Sequence, residues 1–248
     1  MKLSQNPALR SESRIPNPES RLVCIGHRGA RGHAPENTLL GLDTGIRLGA
    51  HAVEFDVQLH PSGELLLMHD LRVDRSTDGH GLLSDLSLPQ LRALDAGQGQ
   101  RIPTLQEALE HIDNRVWVNV ELKTRGGTGP AVARVLRDVI EDGWPAERFV
   151  VTSFHLPELY EFKQAAPEIP IGVLYCGTPL EWAGTAAELG AVSVNLSAEF
   201  VDSQMVADAH ARGMKVFVYT VNDPQDLALM RKLGVDGVFS DFPERVLR

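Results

Sequence analysis

In the stretch VEFDVQL two carboxylates, Glu54 and Asp56, stand two residues apart. On an extended strand that spacing turns both to one face and turns Val53, Phe55 and Val57 to the other. A third acid, Glu121, closes the apolar run VWVNVEL, with Lys123 two residues further on and on the same face. Buried like charges are costly unless something neutralises them. Three strand-borne carboxylates therefore point to a cation, and a ligand set made only of hard oxygens suits Mg2+ or Ca2+ better than zinc. The competing reading pairs Glu54 with a neighbouring arginine and Glu121 with Lys123 as structural ion pairs.

Two of the nine histidines stand at comparable places. His27 ends an apolar run directly before Arg28-Gly29, and His69 ends LLLMH directly before Asp70. A strand that delivers an imidazole at its C-terminal tip offers a group able to take or give a proton near neutral pH, and a pair of them can serve as general base and general acid. His33, His51, His60, His80, His111, His155 and His210 lack such company and read as satisfied core or surface residues. Arg28 and Lys123 add fixed positive charge, the first able to grip a phosphate through two hydrogen bonds and the second acting as a point charge. The alternative for both is simple balance of the acids. Gly26, Gly29 and Gly32 suit a tight turn after the first strand.

These side chains need strands to carry them. Short apolar runs bounded by Gly, Pro or Asp predict strands at 22–27, 52–59, 116–122, 149–152, 171–175, 193–196, 215–220 and 237–239. Between them, apolar residues three and four apart predict helices at 39–48, 105–112, 131–140, 156–165, 180–189, 205–210 and 227–233. Gly49, Gly190, Gly213 and Gly234 stand where left-handed C-caps are expected. Alternation at about 28 residues per unit is the economy of a (β/α)8 barrel, an α/β fold whose sites gather at the C-terminal ends of the strands. A doubly wound open sheet is the runner-up, weakened because neither a G-x-G-x-x-G nor a G-x-x-x-x-G-K-[ST] loop is present. Between about residues 60 and 102 a short strand at 64–68 leads into a long polar stretch, read as an elaboration over the barrel mouth. The Leu82–Leu83 and Leu86–Leu88 stretches there could form either an apolar track for an acyl chain or a local core.

Composition bounds the rest. The 248 residues include 24 basic and 33 acidic side chains, a net charge of −9, with 43% hydrophobic and 23% charged residues. An acidic chain of this kind argues against nucleic acid as the main partner and against a polybasic membrane anchor. No apolar run approaches the ~20 residues of a membrane-spanning helix. Residues 1–20, polar and broken by Pro7, Pro16 and Pro18, read as a flexible leader without an apolar signal core, and the expected address is the cytoplasm. Cys24 and Cys176, far apart and in or beside apolar strands, are expected as buried free thiols. Oligomeric state is not readable from these features.

Taken together, GHRGARGHAPENTLLG, GAHAVEFDVQLHPSGELLLMHD, DRSTDG, LDAG, IPTLQEAL and VELK, then VTSF, VYTVND and DGVFSDFPE, resemble the glycerophosphodiester phosphodiesterase family from about residue 21 to 248. The spaced H-R-G, P-E-N-T, E-x-D, H-D and E-x-K set carries the resemblance. It implies a TIM barrel forming one domain, with a small insertion after the second strand at about 70–101, and one divalent cation. By match to the family's motifs, Glu54, Asp56 and Glu121 resemble its metal ligands and His27 and His69 its acid–base pair. Arg28 and Lys123 resemble its phosphate-site residues, and Glu36 and Asn37 are expected to brace the loop after the first strand. Gly41-Leu42, Arg75-Ser76-Thr77 and Tyr219 depart from the common Ala-Phe, Arg-Thr-Thr and tryptophan. Tyr219 and Phe154 are expected to line the pocket for the glycerol or alcohol group.

The reaction so implied is hydrolysis of a small glycerophosphodiester to glycerol 3-phosphate and an alcohol, with His27 favoured as base and His69 as acid. The alternatives are a lysophospholipase D-like cleavage of lipid phosphodiesters and a barrel that only binds a phosphorylated metabolite.

Overall fold

The computed structural model describes residues 22–123 and 126–248; the leader expected at 1–20 lies outside the described residues. Eight parallel strands close into a barrel in the order β1 (Val23–Gly26), β2 (Ala52–Leu59), β4 (Trp117–Leu122), β5 (Phe149–Ser153), β6 (Ile171–Tyr175), β7 (Ser193–Ser197), β8 (Lys215–Tyr219) and β9 (Gly237–Ser240). The ring closes because β1 pairs with both β2 and β9. The short β3 (Leu65–Leu67) turns back antiparallel on β2 and stands outside the ring. This is a (β/α)8 TIM barrel.

Strand alternation builds its two apolar layers. Val53, Phe55 and Val57 are fully buried in the main core, beneath the helices. Inside the ring, Val23, Ile25, Ala52, Phe217 and Phe239 form a separate plug with Trp117 and Tyr219 packed against it. The ring of helices comprises α1 (Leu39–Arg47), α3 (Leu105–Ile112), α4 (Thr128–Glu141), α5 (Leu156–Ala165), α6 (Gly184–Glu188), α7 (Ser203–Ala211) and α8 (Pro224–Leu233), with the short α9 (Pro243–Val246) at the end. Several begin where local chemistry satisfies their free amides: Thr38 caps α1, Thr104 and Glu107 form a capping box on α3, and Asp223 caps α8. The four expected C-terminal glycines all adopt positive φ, between 68° and 89°.

The differences from the sequence expectation are local. α4 starts one turn early and α8 begins at Pro224, a residue suited to the first helical turn. α6 loses its first turn, so Leu180 lies in a loop, fully exposed. Both cysteines are free and Cys24 is buried as expected, but Cys176 is exposed because it stands just beyond β6.

The segment after β3 carries α2 (Leu88–Ala93), which the sequence reading left irregular, and its own small core of Leu66, Met68, Val73, Leu83, Leu91, Ala96 and Ile102. Leu86 and Leu88 pack against that core. Of the leucines considered for an acyl track, Leu82 is exposed, whereas Leu83, Leu86 and Leu88 go to this local core instead. No helix among the described residues is long and apolar enough to cross a membrane.

Candidate active site

The loop from β1 to α1 is held tightly to the barrel. Gly29, at φ +87°, lies so close to α1 that a Cβ would sit 2.3 Å from the Gly41 carbonyl carbon. At Gly41 a Cβ would meet the Pro35 carbonyl oxygen at 2.5 Å, so the glycine at this departure from the family pattern fits a crowded contact. The preceding residue, Arg28, also takes a positive φ of 50°, and its amide donates to Glu54 Oε2 at 2.8 Å. Asn37, at φ 56°, exchanges two hydrogen bonds with Asp56: its Nδ2 donates to Oδ2 at 2.8 Å, and its Oδ1 accepts from the Asp56 amide at 3.1 Å. Glu36 accepts from Arg28 and Arg75. Both Glu36 and Asn37 thus brace the loop, as expected.

Register assembles the carboxylates. β2 and β4 pair so that Asp56 stands opposite Glu121 and Glu54 opposite Asn119. One oxygen from each of Glu54, Asp56 and Glu121 lies within 4.8 Å of the others, and all three residues are buried. Lys123 Nζ lies 2.7 Å from Glu121 Oε1 and 3.4 Å from Asp56 Oδ1, while Arg28 Nε lies 3.2 Å from Asp56 Oδ2. Of the structural ion pairs considered from sequence, Glu121 with Lys123 is present, while Glu54 meets Arg28 through its backbone amide and the arginine side chain pairs with Asp56 instead. Among the described residues, Glu54 Oε1 is buried with no hydrogen-bond partner.

Electrostatics follow from that geometry. Burial, reinforced by the charges of Asp56 and Glu121, pushes the Glu54 carboxyl well above the usual carboxylate range. Burial and then Asp56 push Glu121 up to about 7. Burial would also raise Asp56, but Lys123 and Arg28 outweigh it and hold this carboxyl low. A buried oxygen without a donor, within a cluster of mutually repelling carboxylates, is what a hard divalent cation would satisfy. The residues present fit such an ion.

Two imidazoles flank this cluster, each backed by a carboxylate. His27 follows β1, and its Nδ1 lies 2.7 Å from Oδ1 of Asp241, the residue after β9. Asp241 is itself held by Asn222 Nδ2 at 2.8 Å and Arg31 Nη2 at 3.2 Å. His69 Nδ1 lies 2.6 Å from Asp70 Oδ1, and Asp70 Oδ2 accepts from Arg75 Nε at 2.5 Å. Burial would raise both aspartates, yet hydrogen bonds, chiefly from Arg75 to Asp70 and from His27 to Asp241, bring each down to about 2. An ionised aspartate on Nδ1 fixes the proton there and leaves Nε2 as the reactive nitrogen. Burial holds His69 below the ordinary imidazole value despite Asp56 and Asp70.

His27, Arg28, Glu54, His69, Glu121 and Lys123 share one cleft of about 200 Å3. Its other wall is largely apolar and includes Phe154, Leu174, Tyr219 and Phe239. Phe154 meets Tyr219 edge to face at 5.7 Å, with Lys123 Nζ 5.9 Å from the Phe154 ring centre. Tyr219 donates its hydroxyl to the Tyr175 carbonyl at 2.7 Å, which fixes its ring in the wall. Every residue singled out from sequence for chemistry or lining therefore lies at this cleft, with Asp56 just beneath it in the carboxylate cluster.

The remaining histidines have other partners. His51 accepts from the Cys24 amide, His60 bridges Ser62 and the Leu86 carbonyl, and His155 caps α5. His33 and His210 face Glu244 and Asp236, while His80 and His111 lie near Asp74 and Asp43. Sequence reasoning missed the orienting shell of Asp241, Asn222, Asp70, Arg75 and Arg31. Asp70 adjoins its histidine in the chain, but only the closed ring places Asp241 beside His27.

Comparison with known proteins agrees with this architecture. Residues 27–245 match the profile of the Glycerophosphoryl diester phosphodiesterase family. The chain is 35% identical over 236 residues to a glycerophosphodiester phosphodiesterase of Caldanaerobacter subterraneus subsp. tengcongensis, covering 92% of this chain and 97% of that protein. A glycerophosphodiester phosphodiesterase of Bacillus altitudinis is 32% identical over 236 residues, covering 90% of this chain and 96% of that one. Among solved structures, an Oleispira antarctica phosphodiesterase in complex with the product sn-glycerol-3-phosphate superimposes with a TM-score of 0.84 at 34% identity, covering 90% of this chain and 94% of that one.

Proposed function

The chain belongs to the glycerophosphoryl diester phosphodiesterase family and is an enzyme of that class, and from that premise we propose that it hydrolyses small glycerophosphodiesters to glycerol 3-phosphate and a free alcohol by histidine acid–base catalysis. The observation that carries this reading is the cleft itself: two imidazoles, each backed by a carboxylate, flank a buried carboxylate cluster in which Glu54 Oε1 has no partner among the described residues. Its product class is that of the complex formed by the Oleispira antarctica relative.

Glu54, Asp56 and Glu121 would hold Mg2+ or Ca2+, whose chemistry when bound is to polarise a phosphoryl oxygen and neutralise the charge that builds in the pentacoordinate state. Lys123 has three donors, two of them directed by Glu121 and Asp56, and its third is available to a phosphate oxygen. Arg28, braced by Glu36 and Asp56, supplies a second fixed positive charge against the phosphate. His27 Nε2 takes the proton from the attacking hydroxyl, which is water or a hydroxyl of the substrate's glycerol. In the second case a cyclic phosphodiester forms as the alcohol leaves, and water then opens it to glycerol 3-phosphate. His69 Nε2 gives a proton to the alcohol oxygen as its bond to phosphorus breaks. Phe154 and Tyr219 provide an apolar wall for the carbon skeleton of the glycerol or alcohol group.

Turnover of glycerophosphocholine and glycerophosphoethanolamine tests the whole reading, first after EDTA and then with Mg2+ or Ca2+ restored separately. Glycerol 3-phosphate formation that vanishes on chelation and returns with one ion supports it and names the ion. Turnover that ignores chelation removes the metal from the mechanism.

A further inference from the structure

A second concavity opens beside the cleft, between the β1–α1 loop and the segment that follows β3, with a volume of about 550 Å3. Its walls are mostly polar and include Arg31, Glu36, Arg75, Ser76, Asp78 and Asp95. Arg31 belongs to both cavities, so the two adjoin along its side chain. Arg75 makes a second link, since it binds Asp70 and Asp70 binds His69. A group that leaves phosphorus beside His69 therefore emerges next to this groove, whereas the opposite wall of the cleft is apolar.

The groove is shaped by its own bonds. The Asp78 amide donates to the Asp95 carbonyl at 3.0 Å, and the Asp95 amide donates back to Asp78 Oδ1 at 2.9 Å. Asp95 Oδ1 also accepts from the Gly97 and Gly99 amides, at 2.7 and 3.0 Å. Neither aspartate has an ion-pair partner among the described residues, whereas Arg31 and Arg75 are both engaged by carboxylates. Such a lining offers hydrogen bonds and residual negative charge to a hydroxyl- or ammonium-bearing group, and it would leave an acyl chain against unpaired polar surface.

We propose that this groove is the subsite for the leaving alcohol, and that it selects hydrophilic alcohols over those carrying acyl chains. The inference rests on the assignment of the adjoining cleft as the phosphodiester site.

The test compares kcat/KM for four substrates: glycerophosphocholine, glycerophosphoinositol, glycerophospho-N-palmitoylethanolamine, whose leaving alcohol carries the acyl chain, and the methyl ester of glycerol 3-phosphate, whose methanol is too small to fill the groove. Wild type is set beside Ser76→Trp, which obstructs the groove, and Asp78→Lys, which places a cation in it. The wild-type enzyme is expected to favour the choline and inositol diesters over both the methyl ester and the N-acylated diester. Ser76→Trp should lower the choline-to-methyl ratio by about tenfold or more, within the range over which pocket shape discriminates between substrates. Asp78→Lys should lower the choline ratio more than the inositol ratio. Asp78 is exposed, so this variant decides the matter should Ser76→Trp fail to fold. A wild-type enzyme active on all four diesters, with ratios unchanged in the folded variants or with the N-acylated diester preferred, overturns the subsite alone. A wild-type enzyme active on none of the four overturns the assignment of the cleft and this inference with it.

Discussion

His27 and Asp241 are 214 residues apart in the chain, yet His27 Nδ1 and Asp241 Oδ1 lie 2.7 Å apart. They meet because β1 and β9 are neighbours where the barrel closes, with Gly26 registered on Ser240. In the proposed mechanism Asp241 would act through His27, as a positioning residue. Asp241→Asn should lower kcat by the order of 10²-fold, the scale of one arm of acid–base catalysis, with KM little changed. Asp241→Glu should recover part of the loss. Steady-state kinetics across pH check this, because a merely structural role would leave the shape of the profile unaltered.

The two histidines are distinguished by the leaving group. His69→Ala should cost about 10²–10⁴-fold on a diester of an ordinary alcohol. On a diester with a p-nitrophenyl leaving group, which departs without protonation, most of that loss should disappear. His27→Ala should be equally impaired on both substrates. The reverse pattern would exchange the two roles, an outcome consistent with the burial that holds His69 below the ordinary imidazole value.

Thermal denaturation reads the carboxylate cluster without reference to turnover. In the metal-free protein Glu54 is held well above its ordinary pKa by burial and by Asp56 and Glu121. Such a raised carboxyl destabilises the fold once the pH exceeds the unfolded value of about 4.3. Glu54→Gln should therefore melt higher than wild type in EDTA at neutral pH. Saturating Mg2+ or Ca2+ should stabilise wild type by about 2.7 kcal/mol at a hundredfold excess over Kd, and stabilise the variant much less. An absent ion-dependent shift in wild type would argue against the site.

A separate acid-labile contribution lies at the opposite end of the barrel. Asp236, just before β9, accepts from Lys215 Nζ at 2.7 Å and from the Val216 amide and His210 Nε2, each at 2.8 Å. Burial would raise this carboxyl, but the bonds from Lys215, Val216 and His210 outweigh burial and hold it below its ordinary value. A lowered folded-state pKa gives stability that is present above the unfolded value of about 3.9 and is lost as the pH falls through the folded value. Asp236→Asn should cost about 1–3 kcal/mol at pH 7 and flatten the acid limb of the stability curve, measured by urea denaturation.

Much of this protein was determined by short-range sequence pattern. The two-residue spacing of Glu54 and Asp56 places their side chains on one face of a strand, and the Val53, Phe55 and Val57 set fixes which face turns to the helices. Capping residues and terminal glycines set the helix ends for the same local reason. Tertiary structure decided what depends on which strands become neighbours. It set Asp56 opposite Glu121, brought Asp241 to His27, and left Glu54 Oε1 without a partner among the described residues although Arg28 and Lys123 reach the adjoining carboxylates. It also buried Leu83 in a local core while exposing Leu180 and Cys176. Periodicity records which way a side chain faces, but its neighbour across the barrel is fixed only when the whole ring has closed.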